Sequence, residues 1–333
     1  MSAPTMKVVR YYPPGGPPNL KYQDEPIPSP TKQGQLLIKV AAVGVIWPEL
    51  HWPVIYDGPD GQYTNHIPGH DFSGIVTEIG PGVAESSDIR TGSEVIAFTS
   101  KRETEGAMAE YAISDLSQTV LKPKNLNFFE AASVPLTALT AWQAFFDQVE
   151  VKPGQKLLVT GAAGATGLWG VQIGKLLGAH VIGTASSEKS FTLLKDLGID
   201  EIVDYKKTNL EDAVRDVDVV FDTIGGATFK QCLKVIKKEG TAISIVDYDA
   251  EEQGKALGLK SKFFIVEMNV EQMKKINEHL VSGKLKPVVD SVFPLQDAAK
   301  AFEHGMKGHC QGKVVLKVED EIGRYQKEME GSA

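Results

Sequence analysis

At 333 residues the chain is longer than a domain with one hydrophobic core usually is, and its length is typical of two domains. Apolar residues make up 42% of it and charged residues 23%, which is typical of a well-packed globular protein. The net charge of −8 argues against nucleic acid or an anionic membrane surface as the main partner. No stretch approaches the roughly 18 consecutive apolar residues of a membrane helix, so we expect no membrane partner.

The N-terminal residues show no charged segment followed by an apolar one, so we expect no secretory signal. The chain has two cysteines, Cys232 and Cys310, which cannot provide a disulfide framework. A reducing, cytoplasmic location therefore fits best. The same count excludes a structural zinc site built from four cysteines.

The N-terminal part of the chain is predicted to be rich in β-strands. Short apolar stretches such as 35–41 and 74–79 alternate with segments that contain Pro and Gly. This spacing predicts a compact domain that resembles a β-barrel. A helical pattern begins near Asn127.

From Lys156 onwards, predicted strands and helices alternate. Apolar strands begin at residues 156, 180, 218 and 241, and helices over 168–177 and 188–197 end before glycines. Continuous apolar strands between helices predict a parallel α/β sheet that is covered on both faces. A later helix ends at Ser282-Gly283, and two strand-like segments, 287–290 and 313–318, are predicted to rejoin the N-terminal domain.

Three glycines separate the first of these strands from its helix. Gly161, Gly164 and Gly167 let the chain turn sharply, let backbone N–H groups approach a pyrophosphate, and let the helix pack closely on the strand. The helix N-terminus adds free N–H groups and a partial positive charge. The pattern G-x-x-G-x-x-G predicts a dinucleotide site; the alternative is a glycine-rich turn in another α/β protein.

The end of the second strand bears on which dinucleotide binds. An NAD site usually has an acidic residue there, whereas this chain offers Ser186, Ser187 and Lys189 to a 2′-phosphate. Glu188 argues the other way unless it only begins the next helix. We favour NADP (NADPH), with an ordinary serine N-cap beside a solvated lysine as the alternative.

Seven motifs follow one another in an order that resembles the medium-chain dehydrogenase/reductase superfamily, in its zinc-independent quinone oxidoreductase and enoyl reductase branch. They cover nearly the whole chain: 67–76 (IPGHDFSGIV), 91–98 (TGSEVIAF), 106–111 (GAMAEY), 131–142 (AASVPLTALTAW), the glycine turn 161–167, 221–226 (FDTIGG) and 308–316 (GHCQGKVVL).

This resemblance implies a Rossmann domain inserted in a GroES-like catalytic domain, with the active site in the cleft between them. The expected boundaries are 1–127 for the catalytic domain, 128–270 for the NADP-binding domain and 271–333 for the return to the catalytic domain. Relatives are commonly dimers, so the resemblance allows a homodimer.

The resemblance also implies a set of cofactor-binding residues. The pyrophosphate would lie on the glycine turn, the 2′-phosphate would meet the end of the second strand and Tyr205, and the nicotinamide would contact Thr140 and three later loops. Many relatives have an arginine directly before Gly-Lys, but this chain has Gln311 there, which puts a guanidinium contact with the cofactor in doubt. The complete predicted set is Trp47, Thr140, Gly161, Ala163, Gly164, Ala165, Thr166, Gly167, Ser186, Ser187, Lys189, Tyr205, Ile224, Ser244, Val246, Phe264, Ile265, Val266 and Lys313.

Zinc-dependent members of this superfamily carry a ligand cysteine, a Gly-His-Glu motif and a later cysteine. Here Ile46 occupies the place of the first cysteine, and an alkyl side chain cannot bind a metal. His70 is present, with His51 and Glu49 near it, so a site built from histidine and carboxylate is the alternative to a structural role for His70. We assign no metal ligands.

A reductase of enones or quinones is the predicted function, because such substrates stabilise the negative charge that hydride addition creates. Tyr56 and Tyr63 are the candidate catalytic proton donors, with solvent as the alternative source. Trp47 and Trp52 would stack on a flat substrate or simply pack in a core. Two other functions stay open: a zinc-free alcohol dehydrogenase or carbonyl reductase, and a non-catalytic protein that binds NADPH.

Overall fold

The computed structural model describes residues 4–52, 65–84, 86–99 and 105–318. The chain divides into two units by its internal contacts. The first comprises 1–136, 268–281 and 287–333, and the second comprises 137–267 and 282–286. Among the described residues, no helix is long and apolar enough to cross a membrane.

Fifteen strands are present in the described part of the chain. They are β1 Thr5–Tyr11, β2 Leu20–Pro26, β3 Gln35–Gly44, β4 Asp71–Ile79, β5 Glu94–Phe98, β6 Tyr111–Asp115, β7 Thr119–Leu121, β8 Lys156–Val159, β9 His180–Ala185, β10 Glu201–Asp204, β11 Val217–Asp222, β12 Ile236–Ser244, β13 Lys260–Phe263, β14 Val289–Pro294 and β15 Lys313–Lys317.

The described α-helices are α1 Phe128–Ala132, α2 Pro135–Gln143, α3 Gly167–Leu176, α4 Glu188–Asp196, α5 Leu210–Ala213, α6 Gly226–Val235, α7 Ala250–Ala256, α8 Val270–Val281 and α9 Ala298–Met306. Short 3₁₀ helices cover Pro17–Asn19, Trp47–His51, Leu116–Gln118 and Leu295–Asp297, and a π-helical turn covers Ala144–Gln148.

The first unit contains a β1–β2 antiparallel pair and a seven-stranded sheet in the order β14-β15-β3-β4-β5-β7, with β6 also paired to β3. The strands β14 and β15 run parallel, and the other pairs of this sheet are antiparallel. Leu36, Phe72 and Phe302 are buried in one apolar cluster. Because Phe302 belongs to α9 and β15 pairs with β3, the C-terminal segment returns to the N-terminal domain, as the sequence predicted.

The second unit contains a six-stranded, fully parallel sheet in the order β10-β9-β8-β11-β12-β13. This order reverses between β8 and β11 and is the one found in dinucleotide-binding domains. Apolar residues such as Leu158, Ile182 and Phe229 form its buried cluster. A Cβ on Gly170 would lie 2.8 Å from a ring carbon of Phe221, so glycine lets α3 approach the sheet closely.

The strands and helices predicted from sequence are confirmed within a few residues. The helix near Asn127 begins with a capping box, because the Asn127 side chain accepts from the Glu130 N–H and Glu130 accepts from the Asn127 N–H, both at 2.9 Å. Several elements were not identified individually from the sequence, among them β10, β13, α5, α6, α7 and α9. The strand predicted from residue 241 begins earlier, at Ile236.

Candidate functional site

The glycine turn lies where the strand order of the second unit reverses. Gly161 follows β8 with a φ of +58°, and its N–H donates to Thr184 Oγ1 at 3.0 Å on the neighbouring strand β9. The Gly164 N–H donates back to the Gly161 carbonyl at 2.9 Å. Thr166 is the N-cap residue of α3, but its side chain makes no capping hydrogen bond. It therefore does not satisfy the free N–H groups in the first turn of this helix.

Two glycines of this turn differ in the space that protein atoms leave around them. A Cβ on Gly167 would overlap the Gly161 carbonyl and lie 2.9 Å from Ala162 Cα, so only glycine fits there. At Gly164 a Cβ would meet a single atom, the Gly161 carbonyl oxygen, at 3.2 Å. Apart from this one contact, protein atoms do not demand glycine at 164, and the turn is open on this side.

A buried carboxylate joins the carboxyl ends of three strands. Asp222, at the end of β11, accepts from Thr160 Oγ1 and from Ser244 Oγ, both at 2.7 Å. It also accepts from the Gly225 N–H at 3.0 Å. Burial raises the pKa of Asp222, and these hydrogen bonds oppose the rise. The network fixes the ends of β8, β11 and β12 beside the glycine turn.

Asp222 is a site residue that the sequence analysis missed. Ser244, which was assigned to the cofactor, is fully buried, and its hydroxyl is bound to Asp222. The same hydroxyl accepts from the Val246 and Asp247 N–H groups at 3.3 and 3.0 Å, so it supports the loop after β12. The contact of Ser244 with the cofactor stays a prediction. An acid directly after an apolar strand and before Gly225-Gly226 is the sequence feature that could have identified the network.

The end of β9 confirms a capping role for one of its two serines, and the 2′-phosphate role stays a prediction. Ser187 is the N-cap of α4 and accepts from the Ser190 N–H at 3.1 Å. Ser186 donates instead to the Tyr205 hydroxyl at 2.8 Å, which brings two predicted residues together. Lys189 and Tyr205 are exposed. Capping thus accounts for Ser187, while Ser186, Tyr205 and Lys189 offer polar groups at the surface.

Exposed apolar side chains follow three neighbouring strands. Ile224 comes after β11, Val246 after β12 and Ile265 after β13, and their exposed fractions are 56%, 38% and 57%. Parallel strands end at one edge of their sheet, and ligands collect at that edge. This row can contact a flat, uncharged ring. The other predicted residues of this group are half-buried, as Phe264 and Val266 are, or buried, as Thr140 is.

In the first unit, Glu49 and His70 form a buried pair. His70 Nδ1 is 2.7 Å from the Thr99 carbonyl, and its Nε2 is 3.6 Å from Glu49 Oε2. Burial raises the pKa of Glu49 to about 8 and lowers the pKa of His70. Both groups are therefore mainly uncharged near neutral pH. Glu49 Oε1 and His70 Nε2 lack a hydrogen-bond partner among the described residues.

Asp71, next to His70, forms a buried ion pair with Lys313. Lys313 Nζ lies 3.0 Å from Asp71 Oδ2, both side chains are almost completely buried, and the Leu136 N–H donates to Asp71 Oδ1. Burial raises the pKa of Asp71, and Lys313 opposes the rise. The contact of Lys313 with the cofactor stays a prediction. In this structure the Lys313 amine is paired with the Asp71 carboxylate.

The remaining residues singled out from the sequence are two tryptophans and two tyrosines. Trp47 is 48% exposed and packs on α9, where a Cβ on Gly305 would lie 3.1 Å from Trp47 Cβ. The rings of Trp52 and His70 are 5.8 Å apart. Tyr56 and Tyr63, the candidate proton donors, lie outside the described residues.

The donor set around His70 does not fit a catalytic zinc ion. Such an ion usually has three protein ligands and one open position. Ile46 is buried at the position of the expected cysteine, and the Asp71 carboxylate is already bound to Lys313 and Leu136. Within the part of the chain that the structure describes, this leaves Glu49 and His70 as two donors. The glycine turn, in contrast, fits a dinucleotide.

Comparisons with known proteins agree with this fold. The family model of alcohol dehydrogenase GroES-like domains matches residues 32–124, and that of zinc-binding dehydrogenases matches residues 197–316. A probable zinc-binding oxidoreductase, mitochondrial, from Arthroderma benhamiae is 33% identical over 316 residues, which is 90% of this chain and 93% of the relative.

Two further matches carry more specific names. An NADPH-dependent alkenal/one oxidoreductase, chloroplastic, from Arabidopsis thaliana is 33% identical over 325 residues, which is 93% of this chain and 79% of the relative. The solved structure of the quinone oxidoreductase from Coxiella burnetii superposes with a TM-score of 0.84 at 29% identity and covers 95% of this chain and 100% of that chain. The protein is therefore an oxidoreductase of the medium-chain dehydrogenase/reductase superfamily, in its quinone oxidoreductase and enoyl reductase branch.

Proposed function

We propose that this protein is an NADPH-dependent reductase that acts on activated carbon–carbon double bonds or quinones without a catalytic zinc ion. The observation that carries the proposal is the turn Gly161–Gly167 at the strand reversal, where Gly164 is open to a phosphate group. The names of the alkenal/one oxidoreductase and the quinone oxidoreductase supply the substrate class.

The choice of NADPH over NADH rests on the end of β9. No carboxylate follows Ala185 directly; the next residues are Ser186 and Ser187, and the exposed Lys189 can pair with a 2′-phosphate. The Ser186–Tyr205 hydrogen bond holds two hydroxyl groups at the same place. Glu188 is exposed in the first turn of α4, where its negative charge stabilises the N-terminus of the helix.

The lack of a third donor beside Glu49 and His70, among the residues that the structure describes, bears on the reaction. Oxidation of an ordinary alcohol needs a group that acidifies its hydroxyl, which zinc does in other enzymes. An enone or a quinone stabilises the added electron pair on its own oxygen, so positioning and one hydrogen-bond donor suffice. Bound NADPH would supply the hydride. The chain's own share is the phosphate cradle, the apolar row of Ile224, Val246 and Ile265, and a proton donor.

Tyr56 and Tyr63 stay predictions for that proton donor, and a cytoplasmic location and a homodimer also stay predictions. The relatives' names place two of them in a mitochondrion and a chloroplast.

One assay tests the proposed function directly. Oxidation of NADPH is measured against a panel of quinones, enones, ketones and aldehydes, with NADH as the second cofactor. We expect turnover on quinones or enones with a preference for NADPH. Turnover confined to ketones and aldehydes would indicate the carbonyl reductase alternative, and tight binding without any turnover would indicate a non-catalytic protein.

A substitution tests the 2′-phosphate site separately. Loss of one charge-assisted hydrogen bond weakens binding by about 1.5–3 kcal/mol, so Lys189→Ala should raise the Kd for NADPH by roughly ten-fold or more. The Kd for NADH should change little. Lys195→Ala, at the other end of α4, is the matched control because Lys195 is also exposed. Equal losses for NADPH and NADH would show that Lys189 does not face the 2′-phosphate.

A further inference from the structure

Outside the proposed active site, three side chains with different ligand atoms meet in the first unit. They are Asp290 on β14, His304 on α9 and Cys310 in the segment before β15. One ligand atom from each lies within 4.8 Å of the other two, and this is the one such group of three or more among the described residues. The proposed reductase function makes no use of this Asp-His-Cys cluster.

One side-chain contact and two contacts with backbone groups hold the cluster in place. Asp290 Oδ2 is 2.8 Å from His304 Nε2, and Asp290 Oδ1 accepts from the Gln311 N–H at 2.7 Å. The Cys310 thiol donates to the His304 carbonyl at 3.8 Å. Gly308 and His309 both have positive φ values, 73° and 71°, and this conformation is uncommon for histidine. The left-handed turn brings the chain back so that Cys310 lies beside α9.

We propose that Asp290, His304 and Cys310 bind a thiophilic divalent cation such as Zn²⁺. Thiolate, imidazole and carboxylate are the three ligand types of protein zinc sites, and a water molecule would complete a tetrahedron. The His304 side chain is 41% exposed and that of Asp290 is 16% exposed, so the cation and its water can reach the cluster. The thiolate and the carboxylate together balance the two charges of the cation.

Binding requires one proton to leave. Burial, and then the charge of Asp290, raises the pKa of the Cys310 thiol to about 11, so the thiol keeps its proton in the metal-free protein. The cation would replace that proton, which goes to solvent. His304 would turn a lone pair of Nε2 to the cation and carry its own proton on Nδ1. Affinity should therefore rise with pH.

The position of the cluster also predicts an effect on stability. A bound cation would cross-link β14, α9 and the segment that leads into β15, all within the first unit. Since the unfolded chain does not bring these three residues together, a cation that binds the folded state should raise the melting temperature. The stabilisation should follow the free cation concentration.

Cobalt is the probe that separates this site from others. The full-length protein is stripped of metal with a chelator and titrated with Co²⁺ alone, and the thiolate-to-cobalt charge-transfer band is followed in the near ultraviolet. The chain has only two cysteines. We expect a band that saturates at one cobalt per chain and that Cys310→Ser abolishes. Cys232→Ser is the matched control, since Cys232 is buried in the second unit and should not contribute.

Further variants protect the test against misfolding. His304→Gln and Asp290→Asn keep the cysteine but should raise the Kd for cobalt at least ten-fold, while melting curves in the absence of metal confirm that they fold. Glu49→Gln should leave the band unchanged. Absence of the band in the wild-type protein, or a band that survives Cys310→Ser, would overturn the proposal. So would a cobalt Kd unaffected by both His304→Gln and Asp290→Asn.

Discussion

Replacing Gly164 by valine tests whether the glycine turn holds the pyrophosphate of the cofactor. A Cβ at Gly164 would have a single protein atom near it, the Gly161 carbonyl oxygen at 3.2 Å, and the φ of Gly164 is not in the left-handed region. A shift of that carbonyl by a few tenths of an ångström would therefore admit a Cβ at this position in the cofactor-free protein. The valine side chain would fill the space beside the N-terminus of α3, which the phosphates need.

The expected magnitude follows from the contacts that the phosphates would lose. Hydrogen bonds to charged groups contribute about 1.5–3 kcal/mol each, so the loss of two would cost ~3–6 kcal/mol of binding free energy. This corresponds to roughly 10²- to 10⁴-fold weaker binding, for NADPH and NADH alike. The free energy of unfolding should change by less than the binding free energy, because Gly164 does not have a left-handed φ and its Cβ would meet a single protein atom.

The measurements are titration calorimetry with each dinucleotide and urea unfolding of the cofactor-free protein. Gly164→Ala gives an intermediate step, because its single methyl group reaches less far into the cradle. Gly167→Ala is the contrasting variant: its Cβ would overlap the Gly161 carbonyl, so it should destabilise the fold itself. If Gly164→Val folds and binds both dinucleotides with unchanged affinity, the pyrophosphate does not lie on this turn.

Three other predictions follow from buried charges and donors. Asp222→Ala would leave the hydroxyls of Thr160 and Ser244 and the Gly225 N–H without their acceptor, and we expect urea unfolding to show a loss of about 3 kcal/mol or more, with a smaller loss for Asp222→Asn. Lys313→Met would leave the buried Asp71 carboxylate without its lysine and should lower the free energy of unfolding by about 3–5 kcal/mol. Adding Asp71→Leu to the same chain should restore much of that loss. If the losses from the two substitutions were additive, Asp71 and Lys313 would not be coupled. Chelator treatment should leave NADPH-dependent turnover intact, because Ile46 removes a zinc ligand; loss of turnover that added zinc restores would refute a metal-free reaction.

The glycine turn and the parallel sheet were predictable because their causes are local. Apolar strands, helix-ending glycines and the spacing of Gly161, Gly164 and Gly167 are all visible within short windows of sequence. The strand β13 was missed because Lys260-Ser-Lys has no apolar alternation, and its pairing with β12 decides its conformation. The helix α9 was missed although its apolar residues pack in the core of the first unit.

The polar networks were not predictable, because they join residues that are distant in sequence. Thr160, Asp222 and Ser244 meet only once three parallel strands are aligned. Asp71 and Lys313 likewise meet only through the return of the C-terminal segment to the N-terminal sheet. The sequence singled out Lys313 and Ser244 as site residues, and the structure shows the carboxylates to which each is bound.

Three buried carboxyl groups show how the surroundings decide between charge and neutrality, and Glu49 provides the test. Asp222 is surrounded by hydroxyl and N–H donors, and Asp71 is paired with a lysine. Among the described residues, Glu49 accepts one long hydrogen bond, from the Gly69 N–H at 3.3 Å, and lies 3.6 Å from His70 Nε2. Its pKa of about 8, against an ordinary value of 4.5, means that the folded state holds a proton which the unfolded state releases between these pH values. The free energy of unfolding should therefore fall as pH rises from about 4.5 to 8, by up to ~4–5 kcal/mol from this group.

Glu49→Gln, which cannot ionise, should lose that part of the pH dependence in urea unfolding at pH 5 and pH 8.5. Equal pH dependence in both proteins would mean that Glu49 is ionised in the folded state and that a cation or a donor stabilises its charge.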